Sequence, residues 1–278
     1  MISNIYIFII YYLFISLSII GYGLTFFSIN KKLKVSNNFG YAGLFGVLIL
    51  CIYSYLTSFF FEHNLKHNFV LLFIGFIFFI YFGLNNNKQN LKILFFCLLV
   101  YFIGILIFKT HDDFKYYHFQ YSYYLTQMPS VIGVGNFNLG FRTPSSIFYI
   151  NSLFYLPGVK YFMFHMSAFT IFLYSNIILI TKLIKFKSKS EFDYLTVYFL
   201  FSFIFINVFF YRFSEHGTDR TAQILVFILI GEILAFINLR GNIEKNFSKL
   251  LLIIALINSF FFIGKLVKKF GNFFFKSR

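Results

Sequence analysis

The stretch IYIFIIYYLFISLSIIGYGLTFF, residues Ile5 to Phe27, sets the class of this protein. It carries no charged side chain, and it is longer than the roughly 20 residues with which a helix crosses a ~30 Å hydrocarbon core. The few residues before it contain no basic group, and no small-residue cleavage site follows it. We therefore expect a first membrane span that is retained, and not a signal peptide.

The composition extends this conclusion to the whole chain of 278 residues. Hydrophobic residues make up 59%, charged residues only 12%, and the mean hydropathy is +0.76, whereas charged residues form about a quarter of a soluble domain. The apolar runs are too long for the strands of a membrane barrel. The predicted fold class is an all-α polytopic integral membrane protein, with residues 1–278 forming a single transmembrane domain.

Hydropathy predicts about eight transmembrane helices. They are Ile5–Phe27, Tyr41–Phe61, Phe69–Leu84, Ile93–Phe108, Tyr161–Ile180, Tyr194–Tyr211, Thr221–Ile237 and Leu250–Ile263. Residues 109–160, after the fourth span, form a loop whose later part, SSIFYINSLFYLPG, is apolar but short. This part is expected to be an interfacial or re-entrant helix.

The basic residues indicate how the chain is oriented. The net charge is +15, but Lys and Arg lie in short loops between apolar runs, which favours anionic membrane lipids and not nucleic acid as partners. In membrane proteins the cytoplasmic loops carry the excess of Lys and Arg. The short loops of this chain fit that rule if the N-terminus is outside, and residues 109–160 are then extracytoplasmic. The basic tail from Lys265 to Arg278 disagrees, so either the last span does not cross or further spans would normally follow.

The outer loop begins with HDDFKYYHFQYSYYLTQ, residues 111–127, which is rich in polar and aromatic groups. If it is helical, one face carries Asp113, Tyr117, Gln120 and Tyr124. A carboxylate there can act as a general base or hold a divalent cation. The alternative is that Asp112 and Asp113 are solvated loop residues and that the tyrosines form an interfacial belt.

Two further outer segments carry candidate site residues. VIGVGNFNLGFRTPSS, residues 131–146, offers glycines, Asn136 and Arg142, and a guanidinium suits either a donor phosphate or a lipid headgroup. Asp219 and Arg220 open the seventh span, where Asp219 could serve a site or simply stabilise the helix N-terminus. Glu232 lies within that span and is expected to pair with another helix, stay protonated or line a transport path.

These outer residues resemble a group of multi-spanning bacterial inner-membrane proteins that are similar to the GT-C class of glycosyltransferases. The matching positions are Asp113, Tyr117, His118, Gln120, Gly133, Gly135, Asn136, Ser145, Ser146, Thr218 and Asp219. The resemblance covers roughly Thr110 to Ile237. It departs from typical GT-C enzymes because the acidic loop follows the fourth apparent span and not the first, and because later spans are missing, as in a truncated relative.

The resemblance implies a function and a set of roles. GT-C enzymes transfer a sugar from a polyprenyl-phosphate donor to an acceptor outside the cytoplasm, so Asp113 would be the base or metal-associated carboxylate, supported by Asp112. Arg142 and Arg220 would bind the donor phosphate. Sugar or acceptor would contact Tyr117, His118, Gln120, Asn136 and Asp219. Polysaccharide or small-solute transport or export, and an inactive membrane fragment, remain as alternatives. The sequence leaves open the identity of the sugar and of the acceptor, the use of a divalent cation and the oligomeric state.

Overall fold

Apolar helices account for most of the described chain. A computed structural model describes residues 5–29, 38–106, 112–142, 144–187, 194–210, 219–238 and 253. The α-helices in these ranges are α1 (Ile5–Ile29), α2 (Phe39–Thr57), α3 (Leu65–Phe78), α4 (Lys88–Leu106), α5 (His118–Gln127), α6 (Ser146–Ser152), α7 (Met166–Lys187), α8 (Tyr194–Phe209) and α9 (Asp219–Asn238). A π-helical turn, Phe79–Gly83, continues α3. The all-α prediction is confirmed.

Six helical stretches in the described ranges are long and apolar enough to cross a membrane. They are Ile5–Ile29, Phe39–Thr57, Leu65–Gly83, Lys88–Leu106, Tyr161–Lys185 and Arg220–Ile237. The predicted sixth span corresponds to α8, which is apolar but has only 16 residues. The predicted eighth span, apart from Ile253, and the basic tail lie outside the described residues. Six such helices indicate an integral membrane protein.

Glycines allow α1 to cross its neighbours at very short distances. A Cβ atom added to Gly21 would lie 1.9 Å from the carbonyl oxygen of Gly75 in α3, and one added to Gly46 would lie 1.8 Å from that of Ile19. Small residues are the usual means of close helix packing in lipid, where burial of apolar surface gives little net attraction between helices. Ser18 also donates from its Oγ to the Leu72 carbonyl at 2.7 Å, which ties α1 to α3.

A buried ion pair joins three helices in the part of the bundle away from the outer loops. The Glu232 carboxylate of α9 lies 2.7 Å from Lys182 Nζ of α7, and it also accepts a short hydrogen bond from the Tyr41 hydroxyl of α2. Glu232 is fully buried. Of the three roles that the sequence left open, the structure shows pairing with other helices.

An outer layer, formed by residues 58–64 with α5, α6 and their loops, covers the end of the bundle where α2 finishes and α3 begins. The His63 amide donates to the Leu125 carbonyl at 2.9 Å, and the Ser130 amide donates to the Ser58 carbonyl at 2.6 Å. All seven residues of α6 are buried, and the helix packs against α2, α5 and α7. Protein therefore surrounds α6, and its expected position as an interfacial or re-entrant helix stays a prediction.

Candidate functional site

The Asp113 carboxylate lies at the edge of the outer layer, partly exposed, and is bound by one neighbouring tyrosine. Tyr117 donates from its hydroxyl to Asp113 Oδ2 at 3.1 Å. Asp113 belongs to a short 3-10 helix, Asp112–Phe114, and α5 begins only at His118. The prediction of one continuous helix through residues 111–127 was therefore wrong, although the contact between Asp113 and Tyr117 forms.

Contacts with the glycine-containing loop, residues 131–142, explain why the helix is interrupted before His118. Tyr117 has a non-helical φ of −150°, and a Cβ atom on Gly140 would lie 2.5 Å from Tyr117 Cβ, so the loop backbone packs directly on this tyrosine. The Asn138 side-chain amide donates to the Tyr116 carbonyl at 3.0 Å. The loop thus supplies a hydrogen bond that a continuous helix would otherwise supply.

The glycine-containing loop is folded on itself. Gly133 has φ +94°, a left-handed conformation that glycine adopts without strain, and it precedes a 3-10 turn that ends at Asn136. Arg142 donates from Nε to the Gly135 carbonyl at 3.3 Å. The side chains of Asn136 and Arg142 are exposed, and this leaves them open to a ligand.

His118 and Gln120, two predicted substrate contacts, have different surroundings. His118 is only 3% exposed, and its ring packs against Tyr117 and Phe148 with centroid distances of 4.5 Å and 5.1 Å. Gln120 is exposed and donates to the Lys115 carbonyl at 2.9 Å. His118 therefore supports the Tyr117 ring from behind, while Gln120 lies on the surface beside Asn138.

Asp219 and Arg220 are the first two residues of α9. This helix packs mainly against α7 and α8, and the Arg220 side chain is half-buried. The residues just before them, 212–218, which include the resemblance position Thr218, lie outside the described residues. Convergence of Asp113, Arg142 and Asp219 over a common outer cavity, which the proposed site requires, stays a prediction.

A buried polar network under the outer layer was missed by the sequence reasoning. The Asn68 amide group donates to the carbonyl oxygens of His63, Ser152 and Tyr155 at 2.8, 2.8 and 3.1 Å. Its Oδ1 atom lies 2.9 Å from His67 Nδ1, and because the amide nitrogen is the donor elsewhere, His67 Nδ1 must carry the hydrogen. The signal was the dense run HNLKHN, residues 63–68, which breaks the apolar pattern.

His63 is the centre of this network. Its Nδ1 lies 2.6 Å from Ser152 Oγ and its Nε2 lies 3.0 Å from Thr57 Oγ1. The Ser152 hydroxyl also bonds to the Tyr149 carbonyl, and the Thr57 hydroxyl to the Tyr53 carbonyl. Burial, together with the neighbouring His67, lowers the pKa of His63 from 6.5 to about 3. The ring is neutral at physiological pH.

An apolar groove of about 330 Å³ runs along α3 from its outer end. Tyr53, Lys66 and His67 lie at its polar end, and Val70, Leu71 and Ile74 line the rest. Lys66, Val70 and Ile74 are exposed. The Lys66 ammonium group beside this apolar wall suits a lipid with a phosphate headgroup.

No group of three or more His, Cys, Asp or Glu side chains that could hold a metal ion occurs in the described ranges. Asp113 has the hydroxyl of Tyr117 as a neighbour, so a divalent cation there would need further oxygen ligands from substrate or water. The metal role of Asp113 remains a prediction.

Comparisons with known proteins assign the chain to one family. A family model described as a domain of unknown function, DUF8201, matches residues 5–268. Neither the curated proteins nor the solved structures give a match. Because the matched region includes the transmembrane bundle and the whole outer layer, the chain belongs to the DUF8201 family.

Proposed function

We propose that this protein is a GT-C-like glycosyltransferase of the bacterial inner membrane, which moves a sugar from a polyprenyl-phosphate donor to an acceptor on the outer face. The observation that carries the proposal is the Asp113 carboxylate, partly exposed in the outer layer and bound by Tyr117 at 3.1 Å. A carboxylate in this position is accessible to an acceptor hydroxyl, as a general base requires.

The proposed reaction is a substitution at the anomeric carbon of the donor sugar. The acceptor hydroxyl attacks that carbon, Asp113 takes the hydroxyl proton, and the polyprenyl phosphate leaves. Arg142, exposed on the neighbouring loop, binds the departing phosphate, because guanidinium groups recognise phosphate oxygens in pairs. Tyr117 orients the Asp113 carboxylate through its hydrogen bond.

The groove along α3 supports a lipid donor. It offers an apolar wall of Val70, Leu71 and Ile74, with Lys66 at its outer end, and this arrangement matches an isoprenoid chain that ends in a phosphate. The His63 amide donates to the Leu125 carbonyl of α5, and this bond joins the start of α3, where the groove begins, to the outer layer that contains Asp113.

The test is sugar transfer by membranes or purified protein supplied with a radiolabelled polyprenyl-phosphate sugar. Asp113→Asn removes the base and nearly preserves the shape, so we expect transfer to fall by at least ~100-fold. Tyr117→Phe removes only the orienting hydroxyl and should reduce transfer less. The matched control is Tyr116→Phe, which changes the adjacent exposed tyrosine and should leave transfer unchanged.

Undiminished transfer by Asp113→Asn would overturn the assignment of the base. Uptake of a solute into sealed vesicles without any turnover of the lipid-linked sugar would overturn the enzymatic proposal and favour transport. In that case the groove along α3 would be a lipid contact and not a donor site.

A further inference from the structure

The outer layer presents a group of bulky apolar side chains on its surface. This outer apolar patch consists of Met128, Val131, Ile132, Phe137 and Leu139. Phe137 is 92% exposed, Ile132 73% and Leu139 71%. Such a concentration of exposed apolar groups usually marks a site of interaction with a membrane or another molecule.

Hydrogen bonds hold the patch in this conformation, so its exposure is built into the fold. The Tyr124 hydroxyl donates to the Pro129 carbonyl at 2.9 Å and accepts from the Val131 amide at 3.0 Å. Between Phe137 and Leu139, the Asn138 side chain bonds to the Tyr116 carbonyl and to the Gly140 amide. These bonds fix the backbone at Val131 and between Phe137 and Leu139.

The charges around the patch indicate its partner. No acidic residue occurs from Phe114 to Ser190, and the outer layer in this region carries Lys115, Arg142 and Lys160. Arg142 belongs to the patch loop itself and is exposed. The acidic residues of the outer layer, Glu62, Asp112 and Asp113, precede this segment. Apolar side chains combined with cations are typical of surfaces that enter the headgroup region of an anionic membrane.

We infer that the outer apolar patch inserts into the outer leaflet of the membrane that the helices span, with Phe137 among the upper acyl chains and Arg142 at the lipid phosphates. The α2 span ends at Thr57, and the carbonyl of Ser58 just beyond it accepts a hydrogen bond from the Ser130 amide next to the patch, which places the leaflet surface beside this loop. This inference is independent of the glycosyl transfer proposed above, because a transporter with this fold would dock in the same way.

The chain contains no tryptophan, so one introduced tryptophan reports on its own surroundings. Phe137→Trp is studied in lipid nanodiscs of phosphatidylcholine and phosphatidylglycerol, with or without bromine atoms on the acyl chains. Leu99→Trp, 75% exposed on α4, is the lipid-facing reference. Asn85→Trp, in the exposed loop before α4, is the water-facing reference. Each variant must elute as a single species on size exclusion.

We expect the fluorescence of Phe137→Trp to be blue-shifted, quenched by the brominated lipids as in Leu99→Trp, and protected from iodide. Arg142→Gln in the same background should reduce the quenching by brominated lipids. Emission that is sensitive to iodide and insensitive to brominated lipids, as in Asn85→Trp, would overturn the inference. So would protection from both quenchers, since that would mean that a protein covers the patch.

Discussion

The His63 side chain combines full burial with the ability to titrate near neutral pH in the unfolded chain. It is held by Ser152 and Thr57, and its ring stacks on that of His67 with a centroid distance of 5.4 Å. Protonation of His63 would put a buried positive charge directly against the His67 imidazole. The network therefore depends on His63 staying neutral.

We expect the stability of the protein to fall on acidification because of His63. Its pKa is about 3 in the folded protein and 6.5 in the reference state, so the unfolded chain binds more protons between these values. The stabilising contribution is complete above pH ~6.5 and is lost as the pH falls towards 3, by at most about 1.4 kcal/mol per pH unit. Thermal unfolding of the detergent-solubilised protein from pH 8 to pH 4 measures this loss.

His63→Gln provides the comparison, since glutamine keeps a hydrogen-bonding group but does not titrate. We expect this variant to be less stable than the natural protein at pH 8 and to show a flatter dependence of melting temperature on pH. The same acid slope in His63→Gln and in the natural protein would show that other groups cause it.

The sequence alone predicted only some of the contacts that the site residues make. The spacing of four between Asp113 and Tyr117 suggested that they are neighbours, and their hydrogen bond confirms it. The His63 network was missed because its members come from three separate segments, and Ser152 looks like part of an ordinary apolar helix until the packing of α6 against α2 is known. Long-range polar contacts of this kind leave no periodic signal.

The helices were easier to predict than their ends. A run of apolar residues long enough to cross a membrane is nearly sufficient to predict a helix, because the backbone must satisfy its own hydrogen bonds in lipid. The short α6 was harder, because its length did not reveal whether it lies at the lipid interface or inside the protein. Its burial depends on contacts with α2, α5 and α7, which hydropathy does not encode.

The crossing of α1 and α2 should be intolerant of any side chain at Gly46. In Gly46→Ala the new Cβ would lie 1.8 Å from the Ile19 carbonyl oxygen, so the two backbones must separate, and we expect a loss of about 1–3 kcal/mol. Size exclusion across a temperature series reports this loss of stability, because it measures the fraction of protein that stays monodisperse after heating in detergent.

Gly104→Ala is the matched control within a membrane span. Its Cβ would lie 3.6 Å from the ring of Phe169, an ordinary contact, and alanine favours a helix over glycine by up to about 1 kcal/mol. This variant should be as stable as the natural protein or slightly more so. Equal destabilisation by the two substitutions would mean that the close approach of α1 and α2 is not what limits stability.

The orientation predicted from the charge distribution can be tested by labelling. Both native cysteines in the described ranges, Cys51 and Cys97, are buried, so they should react little. With the N-terminus outside, Lys115→Cys should react with a membrane-impermeant maleimide on intact spheroplasts. Asn85→Cys should react only after permeabilisation, because the loop between α3 and α4 would face the cytoplasm.

The opposite pattern, with Asn85→Cys labelled on intact spheroplasts, would invert the topology. It would also place Asp113 in the cytoplasm, where the donor lipid of an extracytoplasmic transferase is not presented. The labelling experiment therefore bears on the proposed function without measuring activity.

The pairing of Glu232 with Lys182 has a consequence for biosynthesis. Lys182 belongs to α7 and its partner to α9, so the ribosome releases the cation well before the carboxylate. During that interval Lys182 must keep its ammonium group near the lipid headgroups or water, because an isolated charge is costly in the hydrocarbon core. Its side chain still retains 16% exposure in the folded protein. We therefore expect the final seating of α7 against its neighbours to wait for α9, so that the bundle closes only after translation has passed Glu232.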